Sequence, residues 1–156
     1  MDKADFSQRI RASQEKLYRI TYGLLREPQD RMDAVQEAVL KAWQNLNRLR
    51  REEFFETWLT RILINECHNI QGARRRIASV DELPEPAAPP EDGNRALRDA
   101  LASLDEALRL PLLLCYMEGY RVREAARILR IPEGTVKSRI ARAKRKLRAL
   151  LEEKDI

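Results

Sequence analysis

Residues 78–93 read ASVDELPEPAAPPEDG, and no other stretch restricts the fold of this chain as much. They hold four of its seven prolines and five acids, with no cation. An α-helix cannot run through Pro84, Pro86, Pro89 and Pro90, because each removes a backbone donor and clashes with the preceding turn. So few apolar groups leave the segment little to bury. It reads as an extended linker joining a domain at 1–77 to a second at 94–156.

Both flanks are patterned for helices. Charged residues make up 35% of the chain and aromatic residues 6%, which favours helical bundles over a sheet-rich core. Upstream the spacing predicts helices over about 4–26, 30–47 and 53–76. Phe6, Ile10, Leu17, Ile20, Leu24 and Leu25 form the inner face of the first. Phe55, Trp58, Leu59, Ile62, Leu63, Cys67 and Ile70 form that of the third. Downstream the prediction is helices over about 94–104, 105–118 with Gly119 as C-terminal cap, 122–129, and one long final helix starting near 132–135. The fold class is therefore all-α, in two small helical domains.

That final helix opens with IPEGTVKSRIARAKRKL, residues 131–147. Val136, Ile140, Ala143, Leu147 and Leu150 fall on one stripe and call for a core. Ser138, Ala141, Arg142 and Arg145 lie opposite, flanked by Lys137, Arg139 and Lys146. Pro132 suits a first helical turn. A short helix at 122–129, a tight turn and a longer helix with a small, basic leading face make a helix-turn-helix, whose second helix fits a DNA major groove. The plainer alternative is a solvated basic face. Residues 119–151 carry 11 cations and 2 acids, a density that suits a polyanionic partner.

Other classes find little support. No run of 18 apolar residues exists for a membrane span, and the N-terminus lacks the apolar stretch of a signal peptide. Cys67 and Cys115 sit in apolar helical patterns and read as buried free thiols of a reducing compartment, the cytoplasm. His68, the one histidine, has no second Cys or His three or four residues away, and Cys67 points about 100° from it, so neither metal nor cofactor is expected. Glu37, Glu53 and Glu56 have no acid–base partner, and no phosphate loop or nucleophile elbow is present. No catalytic site is expected.

Four stretches together resemble the extracytoplasmic-function (ECF) sigma factors of the sigma-70 superfamily. DAVQEAVLKAWQNL (33–46) and FETWLTRILINECHNI (55–70) are similar to two helices of their region 2. LRLPLLLCYMEGYRVREAARIL (108–129) and PEGTVKSRIARAKRKLRALL (132–151) are similar to region 4. The resemblance implies a sigma factor that binds core RNA polymerase and directs promoter-specific initiation, with a region 2-like three-helix domain and a region 4-like helix-turn-helix domain. It implies docking on the polymerase β′ clamp helices through Asp33, Gln36, Glu37 and Leu40, with Trp43 matching the motif but read as core. The loop NRLRREE (47–53) matches the one that captures a flipped base of the −10 element, although the glycine common there is missing. The −10 contacts implied are Arg48, Arg50, Arg51, Arg61, Asn65, His68, Arg74, Arg75 and Arg76, with Gln71 nearby.

For the −35 element the resemblance implies Arg123, Arg127, Thr135, Lys137, Ser138, Arg139, Ala141, Arg142, Arg145 and Lys146. It adds the polymerase β flap and an anti-sigma factor as partners. The acidic linker matches the segment that passes near the polymerase active centre. Arg130 stands where the turn of the helix-turn-helix usually has glycine. Two rivals remain at this stage: a free-standing helix-turn-helix regulator, and a helical interaction adaptor with a basic tail.

Overall fold

The computed structural model describes residues 1–78 and 95–154, so the expected linker lies outside the described residues apart from Ala78. The described residues contain helices and no strands. The chain divides into two compact units, Met1–Ala87 and Ala88–Ile156.

The first unit is built on α1 (Lys3–Tyr22), α2 (Pro28–Gln44) and α3 (Phe55–Ala78). Asp2 caps α1 by accepting the Asp5 N–H at 2.8 Å. The helix stops four residues before the predicted end. The Gly23 N–H turns back to Ile20, and those of Leu24 and Leu25 both reach the Thr21 carbonyl. Leu24 and Leu25 are still buried, from the loop rather than the helix. Pro28 then opens α2 at its first turn, where a missing N–H costs nothing, so α2 begins two residues earlier than expected. At the far end of α2, the Asn45 backbone N–H and side-chain amide both donate to the Lys41 carbonyl. Two short 3₁₀ turns, Leu46–Arg48 and Glu52–Phe54, lead into α3.

Leu17 of α1 and Leu59, Leu63 and Cys67 of α3 are 0% exposed, and burying each such leucine contributes roughly 1.5–3 kcal/mol. From α2 the buried residues are Val35 and the row Ala34, Ala38 and Ala42, the alanines all 0% exposed. Their spacing of four places small side chains in one row, which lets α2 and α3 approach closely. Phe6 meets the Phe55 ring edge-on at 5.9 Å.

Polar ties link helices distant in sequence. Arg9 donates to the Glu52 carbonyl at 3.0 Å and its carboxylate at 3.3 Å, with its guanidinium 5.6 Å from the Phe55 ring. Gln71, expected near the exposed side of α3, donates its amide to the Leu24 carbonyl at 2.6 Å. The Arg31 guanidinium binds the Leu25 and Arg26 carbonyls and lies 4.0 Å from the Tyr22 ring.

The second unit wraps α4 (Arg95–Ser103), α5 (Glu106–Leu112) and α6 (Val122–Leu129) on α7 (Glu133–Lys154). Arg109 of α5 donates to the Leu104 carbonyl at 2.8 Å and the Ala102 carbonyl at 3.3 Å, placing a cation at the C-terminal end of α4. The predicted helix over 105–118 is not one regular α-helix. Pro111 lies inside α5 without an N–H to give, and the backbone widens into a π turn over Leu113–Met117. The Glu118 N–H reaches back five residues to Leu113, and that of Tyr120 six residues to Leu114. Gly119, at φ 73°, supplies the left-handed backbone this ending needs.

The end of α6 has the same geometry with a different residue. Ile131 donates to Ala126 and Arg130 to Arg127, the two bonds of a Schellman ending, with Arg130 in the left-handed position at φ 54°, ψ 47°. Among the described residues it is the one non-glycine with positive φ. The conformation costs an arginine roughly 1 kcal/mol relative to glycine. Arg130→Gly is therefore expected to stabilise the second unit by about 0.5–1 kcal/mol, read as a higher melting temperature; a lower one would contradict the strain argument.

Pro132 sits just before α7 rather than in its first turn, its carbonyl accepting the Thr135 and Val136 N–H groups. Both cysteines are free, but only Cys67 is fully buried. Cys115 is half-buried, and burial, helped by the Glu124 charge, pushes its thiol pKa above the usual value. In the folded protein near neutral pH, iodoacetamide should modify Cys115 slowly and Cys67 only after unfolding, as followed by mass spectrometry. Rapid labelling of Cys67 in folded protein would contradict this.

Candidate nucleic-acid interface

Three surfaces gather the residues singled out by sequence. On α7 the division of faces is sharp. Val136 and Ala143 are 0% exposed and Ile140 7%, while Ser138, Ala141, Arg142, Arg145, Lys137 and Lys146 are all exposed. Thr135 and Arg139 are half-buried at the edges, and Arg123 and Arg127 of α6 are exposed. The Ser138 hydroxyl donates to the Thr135 carbonyl at 3.1 Å, so towards a ligand it offers lone pairs. Lys144, on the same helix, is diverted: its ammonium lies 4.1 Å from the Tyr116 ring and bonds the phenol oxygen. The outer face of α7 thus presents small side chains between cations, a shape that can enter a major groove.

The second surface lies on the first unit. Arg48, Trp58, Asn65, His68 and Asn69 line a depression of about 540 Å³, with the paired Lys41 and Glu66 beside them. Hydrogen bonding to Glu66 chiefly raises the Lys41 pKa, with smaller attraction from Glu66 and Glu37, against desolvation that lowers it. The Arg48 cation, the amides of Asn45, Asn65 and Asn69, an imidazole and an indole in one recess can stack and hydrogen-bond an unpaired base.

Sequence reasoning had picked Arg48, Asn65 and His68; the fold adds Trp58 and Ile62, both read as core, together with Asn45 and Asn69. The spacing of Asn65 and Asn69, one helical turn apart, was an available signal for the latter. Arg50 and Arg51 are exposed on the loop outside the recess, and Arg51 lies 3.5 Å from Glu53. Arg61 is half-buried and does not line the recess. In the ARRR cluster, Arg75 and Arg76 are exposed, whereas Arg74 grips the Asp30 carboxylate with two hydrogen bonds of 2.9 and 3.0 Å. Those bonds raise the Arg74 pKa.

The third surface is the outer side of α2. Asp33, Gln36, Glu37 and Leu40 are all exposed, Leu40 by 48%. Trp43, expected in the core, is 43% exposed and rests against Phe6 at 5.1 Å. The core position falls to Ala42, because the small-residue row of α2 turns inward. Gln36, Leu40 and Trp43 border an apolar groove of about 520 Å³ between α1 and α2.

Residues 9–77 match the family model for Sigma-70 region 2, and residues 94–147 that for Sigma-70, region 4. The chain is 33% identical to the ECF RNA polymerase sigma factor SigM of Mycobacterium tuberculosis, over 96% of this chain and 79% of SigM. The chain belongs to the ECF sigma factors. Its backbone is similar to that of the sigma factor RpoE of Bartonella quintana, solved with the anti-sigma factor NepR, at a TM-score of 0.85 and 25% identity, covering 95% of this chain and 97% of that one. It is also similar to CnrH, solved with the cytosolic domain of CnrY, at a TM-score of 0.75 and 26% identity, covering 97% and 90%.

This sigma factor is all-helical, with a region 2 and a region 4 unit, and acts as an alternative sigma factor directing transcription. No described helix is long and apolar enough to cross a membrane.

Proposed function

We propose that this sigma factor docks on the β′ clamp helices of core RNA polymerase through Asp33, Gln36, Glu37 and Leu40. In this reading it captures −10 bases in the recess beside Arg48, Asn65 and His68, and reads the −35 element with the outer face of α7. The observation that carries it is the division of α7 into a buried stripe and an exposed face of small and basic side chains. Ser138, Ala141 and Arg142 face base edges. Arg123, Arg127, Thr135, Lys137, Arg139, Arg145 and Lys146 contact phosphates or flanking edges. Arg50, Arg51, Arg75 and Arg76 add charge along the −10 strand, while Arg74, bonded to Asp30, holds the end of α3 instead.

The assigned bounds are 1–77 for the polymerase-docking and −10 domain, 78–93 for the linker and 94–156 for the −35 domain. Two readers on one tether raise each other's effective concentration at a promoter. The protein is not itself a catalyst, and it works where core polymerase does, in the cytoplasm. The β flap is the expected contact of the second domain. The solved complex of RpoE with the anti-sigma factor NepR supports an anti-sigma factor as a regulator here too.

The test is run-off transcription with core enzyme on a promoter library. Initiation that depends on both promoter elements is the expected result. Equal initiation on scrambled templates, or repression without core enzyme, would overturn the reading.

A further inference from the structure

We propose that Arg130, in the turn between α6 and α7, is a DNA-phosphate contact of this sigma factor; the inference rests on α7 entering the groove. The Schellman ending of α6 is made by backbone groups alone, the N–H groups of Arg130 and Ile131 and the carbonyls of Arg127 and Ala126. Glycine would make the same two bonds without strain. The turn therefore does not require an arginine and is burdened by one. A residue held in a sparsely populated conformation points to a role for its side chain.

No such role is found among the described residues. Arg130 is exposed, and among the described residues its guanidinium has no hydrogen-bond or ion-pair partner. This contrasts with Arg9, Arg31, Arg74 and Arg109, whose guanidinium groups are all spent on holding helix ends or loops.

The position suits a phosphate. Arg130 follows Arg127, an exposed cation one helical turn earlier, and precedes the exposed Lys137 and Ser138 in the first turns of α7. A helix that enters a major groove carries its preceding turn towards the backbone at the groove's edge. A planar guanidinium there can bind two phosphate oxygens at once. Such a contact adds affinity and salt dependence without base preference.

The experiment measures binding of the full-length protein to a short mixed-sequence DNA duplex by fluorescence anisotropy, from about 50 to 200 mM salt. Arg130→Gly relieves the turn and so keeps the fold, which thermal melting verifies. Arg130→Asn removes the charge with a residue that tolerates the left-handed conformation. Both variants are expected to lower the slope of log affinity against log salt by about 0.9, and to weaken binding roughly 3- to 10-fold at the low-salt end. Arg130→Lys keeps the slope. Lys146→Ala, on α7 itself, is measured alongside. A slope reduced by Lys146→Ala but unchanged by Arg130→Gly and Arg130→Asn would overturn the Arg130 contact and leave the reading of α7 standing. Slopes unchanged in all of them would overturn both.

Discussion

Gln36→Ala combined with Glu37→Arg is expected to weaken binding to core RNA polymerase by about 3 kcal/mol, a factor of about 150, while leaving the fold intact. Both side chains are exposed on the outer side of α2, beside Leu40 and Trp43. The buried residues of α2 are Ala34, Val35, Ala38 and Ala42, and Gln36 and Glu37 are not among them, so neither substitution disturbs the packing of the first unit. Glu37→Arg does place a like charge four residues from Lys41, at a cost of a few tenths of a kcal/mol. Against a basic partner surface the same reversal exchanges attraction for repulsion, which costs several kcal/mol where the charges are close. Titration of labelled protein with core enzyme measures the affinity, and thermal melting the fold. Full affinity in a folded double variant would refute docking through α2.

Arg142→Ala is expected to impair −35 reading selectively. Arg142 is exposed on α7, four residues beyond Ser138 and next to Ala141, with the buried stripe of Val136, Ile140 and Ala143 behind it. A bidentate contact from arginine to a base edge contributes roughly 1–3 kcal/mol of discrimination, equivalent to about 5- to 150-fold. Run-off transcription from a matched promoter should fall by a factor in that range, and transcription from a −35-scrambled promoter much less. An equal fall on both templates would mean that Arg142 touches phosphate instead.

The two predictions differ in how far sequence alone supports them. The apolar stripe of α7 is periodic over five positions, and periodicity is a local property that survives into the fold: Val136, Ile140 and Ala143 are buried, Leu147 and Leu150 half-buried, and the residues opposite are exposed. The segment VREAARIL at 122–129 is a helix at the expected bounds, closed by a turn in which Arg130 takes the left-handed conformation at the place where glycine is usual. On α2 the same reasoning misjudged Trp43. Hydrophobicity favoured the indole for the core, but the close approach of α2 to α3 admits only the alanine row, and Trp43 is left against Phe6 at the surface.

Helix ends were legible only where a single residue decides them. Gly119 has the left-handed backbone that its place after an apolar run suggested. The widening of α5 beyond Pro111 was not foreseen, because the apolar pattern runs on through Leu112, Leu113 and Leu114 and conceals the lost donor.

What the sequence by itself determined is the all-helical architecture, its family, and the face that each strongly periodic helix turns inward, since these follow from side-chain spacing within one or two turns. Only the tertiary structure decided which polar groups remain available. Arg74 is bound to Asp30, 44 residues away, Gln71 to Leu24, 47 away, and Lys41 to Glu66, 25 away. The recess that gathers Arg48, Trp58, Asn65, His68 and Asn69 likewise exists only once the turns after α2 have returned the chain along α3. A charge or an amide has the same identity on any helix. Whether it faces a partner molecule or a neighbouring helix depends on which elements close around it, and that is set by the packing of residues far apart in the chain.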